Sequence, residues 1–552
     1  MSRINRRIAL FMGFALLFLA ALLARAFFVQ VIAAPELQDK AESQHVRTVR
    51  LDAPRGTIYD RDGEQLAVSQ TMASVYANPN RIEDPAAAAS QLAPVLGRAE
   101  EELMATLSAD SYSECLARKI DKAAGDKVEE LELPDVWVVA EDKRVYPKGA
   151  LAPQLLGFVG TDNEGLAGIE YQYEHVLSGT PGTMEVVSDL SGNRLATVSV
   201  EEAVPGDSIT LTIDEDIQFE TEKVLTGVLE QFEAKRACAV VLDPDTGEIL
   251  AMANTPVFDT NDFSSVEEPD RRNMVVNDQY EPGSTFKMVV TAAALEEGLV
   301  TPETTFTLGR DIQVYDRVVH ESHAESVPKT RELTVTQILA QSSNVGAVQL
   351  GLEVGKTRLV DMIGRFGFTE KLGIDFPGES GGQMLPPEKW SGTTIANVPI
   401  GQGIAASPLQ LAAAYAAVAN DGQLVQPHLV RGSNQPWKRQ VVSPLVAAEL
   451  RDMLSVTVED GTGKQAQVRG YDVAGKTGTA QKVKEDGSGY AEDRYIASFV
   501  GMVPADAPQL VILVMVDEPA TQHLGAYVAA PAFAKIADFS LKCLGIGPSV
   551  SE

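Results

Sequence analysis

Cysteine and histidine are scarce in this sequence, and basic residues are outnumbered by acidic ones. The 552 residues include three cysteines and six histidines. Cys115, Cys238 and Cys543 lie far apart without a Cys-x-x-Cys spacing, so neither a disulfide framework nor a zinc-thiolate site is predicted. The formal net charge of -31 leaves no excess of Lys and Arg to neutralise phosphates, which argues against nucleic acid as a partner.

Low-complexity tracts and internal repeats are also absent from the sequence. Hydrophobic residues make up 45% and charged residues 22%, which is typical of a folded chain and excludes a large disordered tract. The length exceeds what one hydrophobic core usually holds. We therefore expect two or three domains in addition to any membrane segment.

A long apolar run stands near the N-terminus. Residues 8–23 are apolar throughout, and after Arg25 the run resumes as far as Ile32, which gives about 25 residues that can cross a bilayer. Three arginines precede the run and acidic residues follow it, so the positive-inside rule predicts a cytoplasmic N-terminus and an extracytoplasmic body. The alternative is a cleaved signal peptide, although the run is longer than a usual signal-peptide core.

Hydrophobic periodicity changes near residue 212. Before this point the pattern predicts a mixed module: a hairpin, two small helices and a stretch of alternating strands, in residues 51–69, 85–117 and 185–213. After it, apolar residues from Ile217 to Phe232 recur every three or four positions, which predicts a long helix capped by Thr212 or Asp214.

Predicted strand pairs stand at both ends of the second module. Residues 239–242 pair with 248–253, and residues 495–503 pair with 509–516. Because helices fill the sequence between these pairs, we expect an α+β domain whose antiparallel sheet is completed by both ends of the module.

Residues 282–287 open an apolar helix that ends near Gly298. On this helix Ser284 and Lys287 are three residues apart and share a face, within side-chain reach of each other. A serine hydroxyl becomes a good nucleophile when a base takes its proton, and a lysine can do so when desolvation or another cation lowers its pKa. The pair predicts serine acyl transfer and requires a second cation nearby, although Ser-x-x-Lys alone occurs by chance in most long chains.

Two more short motifs supply the remaining groups. In Ser342-Ser343-Asn344, the first hydroxyl and the amide can face one cleft, relaying a proton and holding a substrate amide. Lys476-Thr477-Gly478-Thr479 ends the strand-like stretch 471–475, where glycine lets a substrate lie against the backbone and Lys and Thr bind its carboxylate. Lys476 is then the second cation.

Residues 470–477 also match the Walker A pattern of nucleotide-binding loops. Such a loop needs a preceding strand and a following helix, whereas this segment favours an extended conformation that leads into a polar stretch. The predicted extracytoplasmic location also separates it from ATP. We therefore expect a carboxylate-binding strand.

The three motifs in this order resemble the signature set of penicillin-binding proteins and serine β-lactamases. Their surroundings are similar to class B penicillin-binding proteins, most of all the division-specific penicillin-binding protein 3 type. The similarity covers nearly the whole chain and is carried by residues 55–63, 165–170, 281–287, 401–403, 407–411, 461–464, 470–482, 517–519 and 528–531. The sequence departs from the family at Ala167, where Glu is usual, and at Gly525-Ala526, where a Gly pair is usual.

The resemblance implies an α+β chain of three parts. Residues 1–34 would form a short cytoplasmic tail and a single transmembrane helix, and residues 35–210 an elongated mixed α/β pedestal domain. Residues 211–545 would form a penicillin-binding transpeptidase domain, with an antiparallel five-stranded sheet flanked by helices as in serine β-lactamases.

The resemblance also implies the activity of a peptidoglycan D,D-transpeptidase in septal wall synthesis, inhibited by β-lactams. Ser284 would attack the penultimate D-Ala carbonyl of one stem peptide, expel the terminal D-Ala and pass the acyl group to an amine of another stem. Lys287 would act as base, and backbone amides of Ser284 and Thr479 would form the oxyanion hole. Ser342 and Asn344 would assist transfer, and the substrate carboxylate would be held by Lys476, Thr477, Gly478 and Thr479.

The implied partners are lipid II-derived glycan strands with their stem peptides, β-lactams, the membrane, a SEDS-type glycosyltransferase and other division proteins. No metal or cofactor is expected. A D,D-carboxypeptidase, a β-lactamase, a β-lactam sensor and a transpeptidase for elongation or sporulation stay open as alternatives. His320 and His323 also permit a zinc hypothesis, which is weak because further ligands are missing nearby in the sequence.

Overall fold

A computed structural model describes residues 3–34, 46–188, 194–322, 324–432, 435–484, 486 and 489–549. The N-terminal helix Arg3–Phe27 continues as a π-helix over Phe28–Ile32. The segment Ile4–Ile32 has 29 residues and a mean hydropathy of 2.3, so it is long and apolar enough to cross a membrane. The predicted apolar span is therefore one continuous helical segment.

The chain divides into two compact units. The first contains Met1–Arg55, Thr71–Asp142 and Ser178–Gly206; the second contains Gly56–Gln70, Lys143–Leu177 and Asp207–Glu552. The second unit thus includes two segments that precede residue 211 in sequence. The domain boundaries given above stay a prediction.

The first unit contains a three-stranded antiparallel sheet and a small helical core. Gly182–Ser188 is the central strand, between Val46–Leu51 and Arg194–Glu201. The end of the strand Gln65–Ala77 pairs with Glu114–Ile120. The strand Val136–Val145 also pairs with Gln65–Ala77. The helices are Pro85–Leu96, Glu100–Leu107 and Lys122–Glu130.

Residues 85–117 were expected to form two small helices, and this is correct only as far as Leu107. Residues 114–117 belong to a strand instead, because Leu116 points into the helical core and is fully buried while its neighbours alternate toward solvent.

The second unit is built on a five-stranded antiparallel sheet, here called the catalytic sheet. Its strands are β1 (Arg236–Leu242), β2 (Ile249–Thr255), β3 (Ala474–Val483), β4 (Tyr490–Val503) and β5 (Leu510–Asp517). Their order is β2-β1-β5-β4-β3, so β3 is an edge strand. This confirms the predicted sheet, in which both ends of the module meet.

Both faces of the catalytic sheet are buried, and the alternation of side chains along β5 shows how. Ile512 and Val514 pack with the helices Glu215–Phe232 and Gly525–Cys543 on one face. Leu513 packs on the other face with the core around the helix Lys287–Glu296. Because successive strand residues point to opposite faces, a strand such as β5, apolar at every position but the last, belongs in the middle of a three-layer domain.

Asp214 caps the long helix Glu215–Phe232, since its side chain accepts the backbone N–H of Ile217 at 3.1 Å. The alternative cap is wrong, because the Thr212 hydroxyl donates to the carbonyl of Ile249. The other helices of this unit are Pro153–Leu156, Gly168–Gln172, Glu174–Leu177, Met274–Asn277, Lys287–Glu296, Val335–Ala340, Asn344–Val354, Lys356–Arg365, Thr394–Asn397, Pro408–Ala419, Pro444–Glu459 and Gly525–Cys543.

Short strand pairs complete the second unit. Ile58–Tyr59 pairs in parallel with Ile209–Thr210 and antiparallel with the start of Gln65–Ala77. Four antiparallel pairs are Thr305–Gly309 with Thr330–Thr334, Asp311–Val314 with Arg317–His320, Gln383–Met384 with Ile404–Ala405, and Gln423–Val425 with Lys438–Gln440.

Candidate active site

Ser284 lies in a single 3-10 turn, Gly283–Phe286, that leads into the helix Lys287–Glu296. The turn is fixed from several sides. The Thr285 hydroxyl donates to the carbonyl of Pro282 at 2.8 Å, and the buried Tyr415 hydroxyl donates to the carbonyl of Thr285 at 2.8 Å. The Ser284 side chain itself is half-buried, so the turn presents one hydroxyl at the surface of a rigid core.

Close backbone packing brings a second glycine-containing segment against this turn. Gly401 has a positive φ of 75°, and a Cβ there would lie 2.1 Å from the carbonyl oxygen of Gly283. The amide of Gly283 also donates to the carbonyl of Gly401 at 3.2 Å. Only glycine at 401 therefore allows both the conformation and the contact.

Lys287 joins the first two motifs directly. Its Nζ donates to the carbonyl oxygen of Ser342 at 2.6 Å, to the Ser342 hydroxyl at 3.2 Å and to Oδ1 of Asn344 at 2.7 Å. The side chain is only 2% exposed. Burial lowers the pKa of Lys287 from 10.5 to about 7, against the opposing attraction of Glu321. An amine in this state can accept a proton near neutral pH.

Ser342 adopts a left-handed conformation, with φ of 57°. Non-glycine residues rarely occupy this region, and when they do so at a site the cost of about 1–3 kcal/mol is borne by surrounding contacts. Here the conformation turns the carbonyl of Ser342 toward Lys287 immediately before the helix Asn344–Val354 begins. In the Ser-x-Asn motif, Ser342 therefore forms a strained turn and Asn344 begins the helix.

The Lys-Thr-Gly motif lies inside β3, not at the end of a strand as the sequence suggested. The strand begins at Ala474 and continues to Val483, because its pairing with β4 extends past the motif. In the part of the chain that the structure describes, the next element after β3 is the strand β4 and not a helix, so the Walker A match does not correspond to a phosphate-binding loop. A Cβ at Gly478 would lie 3.0 Å from Cγ2 of Thr285 and 3.1 Å from the carbonyl oxygen of Pro282, so this strand packs against the nucleophile turn.

Lys476 is completely buried in β3. Burial holds its pKa well below the usual range, and repulsion from Lys287 lowers it further. Its Nζ donates to the carbonyl of Thr477 at 3.3 Å and to the Thr462 hydroxyl at 3.4 Å. Burial lowers the pKa of Lys287 without a contribution from Lys476, whereas the charge of Lys287 acts on Lys476, so the role of Lys476 as a second cation acting on Lys287 stays a prediction.

The remaining residues of the β3 motif are also accounted for. The Thr477 hydroxyl shares a hydrogen bond of 2.9 Å with the Thr462 hydroxyl. The Thr479 hydroxyl accepts the backbone N–H of Gly525 at 3.1 Å. Gly525 is held close to Gly478 and Ser498, where a Cβ would collide with both backbones. Gly525 is therefore the residue of the Gly525-Ala526 pair that the packing requires.

Seven of the eight predicted site residues belong to two hydrogen-bonded groups or to the packing of β3 on the serine turn, and the eighth, Thr479, bonds Gly525. Lys287 bonds Ser342 and Asn344; Lys476 and Thr477 meet at Thr462; Gly478 packs on the turn that carries Ser284. Within the described residues the Ser284 hydroxyl has no hydrogen bond of its own. Catalytic hydrogen bonds are often long in the absence of substrate, so this does not count against the geometry.

Sequence reasoning missed several residues that support the site. Thr462 links to Lys476 and Thr477, and its only signal was the quoted segment 461–464. Glu281 accepts the N–H of Gly403 at 2.8 Å and the Tyr490 hydroxyl at 2.8 Å, while burial raises its pKa. Tyr415 and Glu321 gave no signal of their own, because their partners lie far away in sequence.

The zinc hypothesis gains no support from the described residues. His323 lies outside them, and within them no group of three or more His, Cys, Asp or Glu side chains is arranged to hold a metal ion. Glu321, between the two histidines, is instead bonded to Ser343, Asn344 and Arg331.

The half-buried Ser284, the buried Lys287 three residues later and the Lys-Thr-Gly strand packed on the serine turn are the arrangement of an active-serine acyltransferase. Comparison with known proteins agrees. Residues 237–538 match the family described as "Penicillin binding protein transpeptidase domain", and residues 50–211 match "Penicillin-binding Protein dimerisation domain".

Similar proteins cover nearly the whole chain. Peptidoglycan D,D-transpeptidase FtsI of Escherichia coli K12 is 32% identical over 99% of this chain and 93% of its own length. Stage V sporulation protein D of Bacillus subtilis is 34% identical over 100% of this chain and 87% of its own length. Penicillin binding protein 3 of Mycobacterium tuberculosis, solved in complex with aztreonam, has a TM-score of 0.72 at 30% identity, covering 91% of this chain and 98% of that one.

The chain therefore belongs to the penicillin-binding protein transpeptidase family. The family, the mixed α and β fold with its two domain types, and the enzyme class predicted from the sequence are confirmed.

Proposed function

We propose that this chain cross-links peptidoglycan stem peptides through an acyl-enzyme on Ser284, during septal wall synthesis. The observation that carries the proposal is the buried Lys287, whose Nζ contacts both Ser342 and Asn344 and whose pKa burial lowers to about 7. Such an amine can take the proton of Ser284 at neutral pH, which an exposed lysine cannot do efficiently.

Each predicted site residue has a role in this proposal. Lys287 is the base, and Ser342 and Asn344 orient the substrate and assist proton transfer. The substrate carboxylate binds along the edge strand β3, where it is held by Lys476, Thr477, Gly478 and Thr479. The backbone amides of Ser284 and Thr479 are assigned to the oxyanion hole in this proposal. The segments that carry them pack together, because a Cβ built on Gly283 would lie 3.2 Å from the carbonyl oxygen of Thr479.

Labelling with a fluorescent penicillin tests the nucleophile. The full-length chain should be labelled, Ser284→Ala should abolish labelling, and mass spectrometry should place the acyl group on the peptide that contains Ser284. Ser264→Ala makes the same chemical change at an exposed position of the same unit and should label normally. Labelling that persists in Ser284→Ala would reject the assignment.

Transfer and hydrolysis are separated by the fate of the acyl group. A transpeptidase should incorporate a labelled D-amino acid into purified wall peptides, whereas a carboxypeptidase or β-lactamase would release only the hydrolysed product. Depletion in cells then distinguishes division from elongation, since loss of septal synthesis gives filaments and loss of lateral synthesis gives round cells. A defect confined to spore formation would favour the sporulation role instead.

The N-terminal helix supports a membrane location, and we further propose its orientation. Arg3, Arg6 and Arg7 precede the apolar span, which places the N-terminus in the cytoplasm and the catalytic sheet outside. The same proposal includes a SEDS-type glycosyltransferase and other division proteins as partners. It also includes the division of the chain into residues 1–34, 35–210 and 211–545. Protease digestion of intact spheroplasts should remove the catalytic part if the orientation is correct.

A further inference from the structure

Glu321 is a buried carboxylate beside the Ser-x-Asn motif. It follows the strand Arg317–His320 directly and is only 6% exposed. A buried carboxylate is costly unless its oxygens are satisfied by donors or cations. Its partners therefore indicate what it does, and two of them, Ser343 and Asn344, belong to the segment that contacts Lys287.

The carboxylate of Glu321 holds the start of the helix Asn344–Val354. One oxygen accepts the Ser343 hydroxyl, and the other accepts the backbone N–H of Asn344 at 2.9 Å. The Ser343 oxygen in turn accepts the N–H of Gly346 at 3.0 Å, so this serine is the helix cap. A negative charge at a helix N-terminus is also favoured by the helix dipole.

The side chain of Asn344 is fixed from the same element. Its Nδ2 donates to the carbonyl of His320 at 3.1 Å, which leaves Oδ1 directed at Nζ of Lys287 at 2.7 Å. Residues 320 and 321 therefore set both the backbone and the side chain of Asn344. The strained Ser342 lies immediately before this clamped pair, so its carbonyl direction depends on the same contacts.

Arg331 closes the network from the neighbouring strand Thr330–Thr334. Its Nη2 contacts Oε1 of Glu321 at 2.9 Å, and its Nη1 donates to Oε1 of Gln341 at 3.1 Å. The four residues 341–344 are thus bracketed by one acidic and one basic side chain. Neither side chain contacts Ser284 or belongs to a catalytic motif.

The network also has an electrostatic effect on the base. Two charged groups face Lys287, namely Lys476 from β3 and Glu321. The charged groups that face Glu321 are Lys287 and Arg331, and the exposed His320 is its neighbour in sequence. Glu321 attracts the proton on Lys287 and so opposes the lowering of its pKa by burial. Removing the charge of Glu321 would therefore lower this pKa further, and removing Arg331 would raise it.

We propose that Glu321 is a positioning residue for acyl transfer, which clamps the Ser-x-Asn motif so that Ser342 and Asn344 receive the amine of Lys287. The inference rests on the proposed function, in which Lys287 is the base for Ser284. It assigns a role to a residue outside the three catalytic motifs, which acts through its bonds to Ser343 and Asn344 and through its charge near Lys287.

The test is the pH dependence of the second-order rate constant for acylation by a fluorescent penicillin, using the full-length chain. In Glu321→Gln we expect the acidic limb to move to lower pH by about one unit, because Lys287 loses a nearby negative charge. The plateau should fall about tenfold or more, because a misplaced catalytic group reacts slowly even after a small displacement. In Arg331→Met the limb should move to higher pH.

Glu321→Asp and Glu332→Gln serve as matched variants. Aspartate keeps the charge, so its acidic limb should stay at the wild-type position while its plateau recovers only partly. Glu332 is the exposed neighbour of Arg331, and its substitution removes the same charge without touching the motif, so its profile should match wild type. If Glu321→Gln does not fold, the opposite shift in Arg331→Met and the unshifted limb in Glu321→Asp carry the test.

A wild-type limb and plateau in Glu321→Gln would overturn the inference, and so would shifts of the same sign in Glu321→Gln and Arg331→Met. Failure of the proposed function gives a different result, because the wild-type chain would then not be acylated at Ser284 at any pH.

Discussion

Replacing Lys287 with methionine should remove activity and change how stability depends on pH. Methionine keeps the length and apolar stem of the side chain but has no amine, so the base is lost. General-base catalysis contributes about 10²–10⁴-fold, and acylation should fall by that factor. The Ser342 and Asn344 oxygens also lose their donor, which partly offsets any gain in stability.

The pH effect follows from the burial of Lys287. Its pKa is about 7 in the folded protein, below the value of 10.5 for a free lysine side chain. Between these values the unfolded chain binds the proton and the folded protein does not, so this group makes the folded state more stable as pH rises. The slope is about 1.4 kcal/mol per pH unit. From pH 7 to pH 9 the wild type should therefore gain about 2.5 kcal/mol over Lys287→Met.

Urea unfolding at pH 7, 8 and 9, followed by tryptophan fluorescence, measures this difference. Trp390 and Trp437 both lie in the unit that contains the site. Lys223→Met is the matched control, because the side chain of Lys223 is 64% exposed in the folded protein. Parallel pH curves for wild type and Lys287→Met would show that the amine stays charged in the folded protein, and would refute it as the base.

Three further substitutions test other parts of the structure. Gly478→Ala places a Cβ 2.4 Å from Oγ of Ser498 on β4 and 3.0 Å from Cγ2 of Thr285 on the nucleophile turn. The substitution should therefore displace the turn and lower the acylation rate about 100-fold in a stopped-flow assay. Burial raises the pKa of Glu222 to about 8, so this group makes the wild type less stable as pH rises from 4.5 to 8. In urea unfolding, Glu222→Gln should therefore be more stable than the wild type at pH 8, by on the order of 4 kcal/mol, but not at pH 4.5. Arg144 and Glu170 form a fully buried ion pair at 2.6 Å, so Glu170→Gln should cost about 3–5 kcal/mol and lower the Tm in calorimetry.

The catalytic sheet could be predicted because its strands carry local signals. β1 and β2 flank an obvious turn, and β5 is apolar at every position except the last, as a central strand with two buried faces must be. The cap of the helix Glu215–Phe232 could be predicted as Thr212 or Asp214, because capping residues are also a local signal. Strand ends were less accurate: β3 extends well past the motif, because its pairing with β4 decides where it stops.

The site could be predicted as far as its motifs, and not beyond them. Ser284 and Lys287 are three residues apart, so helical spacing alone predicts that their side chains share a face. Glu321 and Tyr415 act through partners brought near by tertiary folding, and no periodicity marks such residues. The real neighbours of Glu321 are the hydroxyl and amide that begin the next helix.

The pairing of β1 with β5 has a consequence for biogenesis. These two strands are neighbours in the catalytic sheet, yet one is synthesised before the nucleophile helix and the other near the end of the chain. During synthesis, β1 and β2 can pair as a hairpin, but the edge of β1 that pairs with β5 stays open until residues 510–517 have been made. Truncated chains that stop earlier would carry all three catalytic motifs and still lack a closed sheet, so quality-control proteases should degrade them before they compete for substrate.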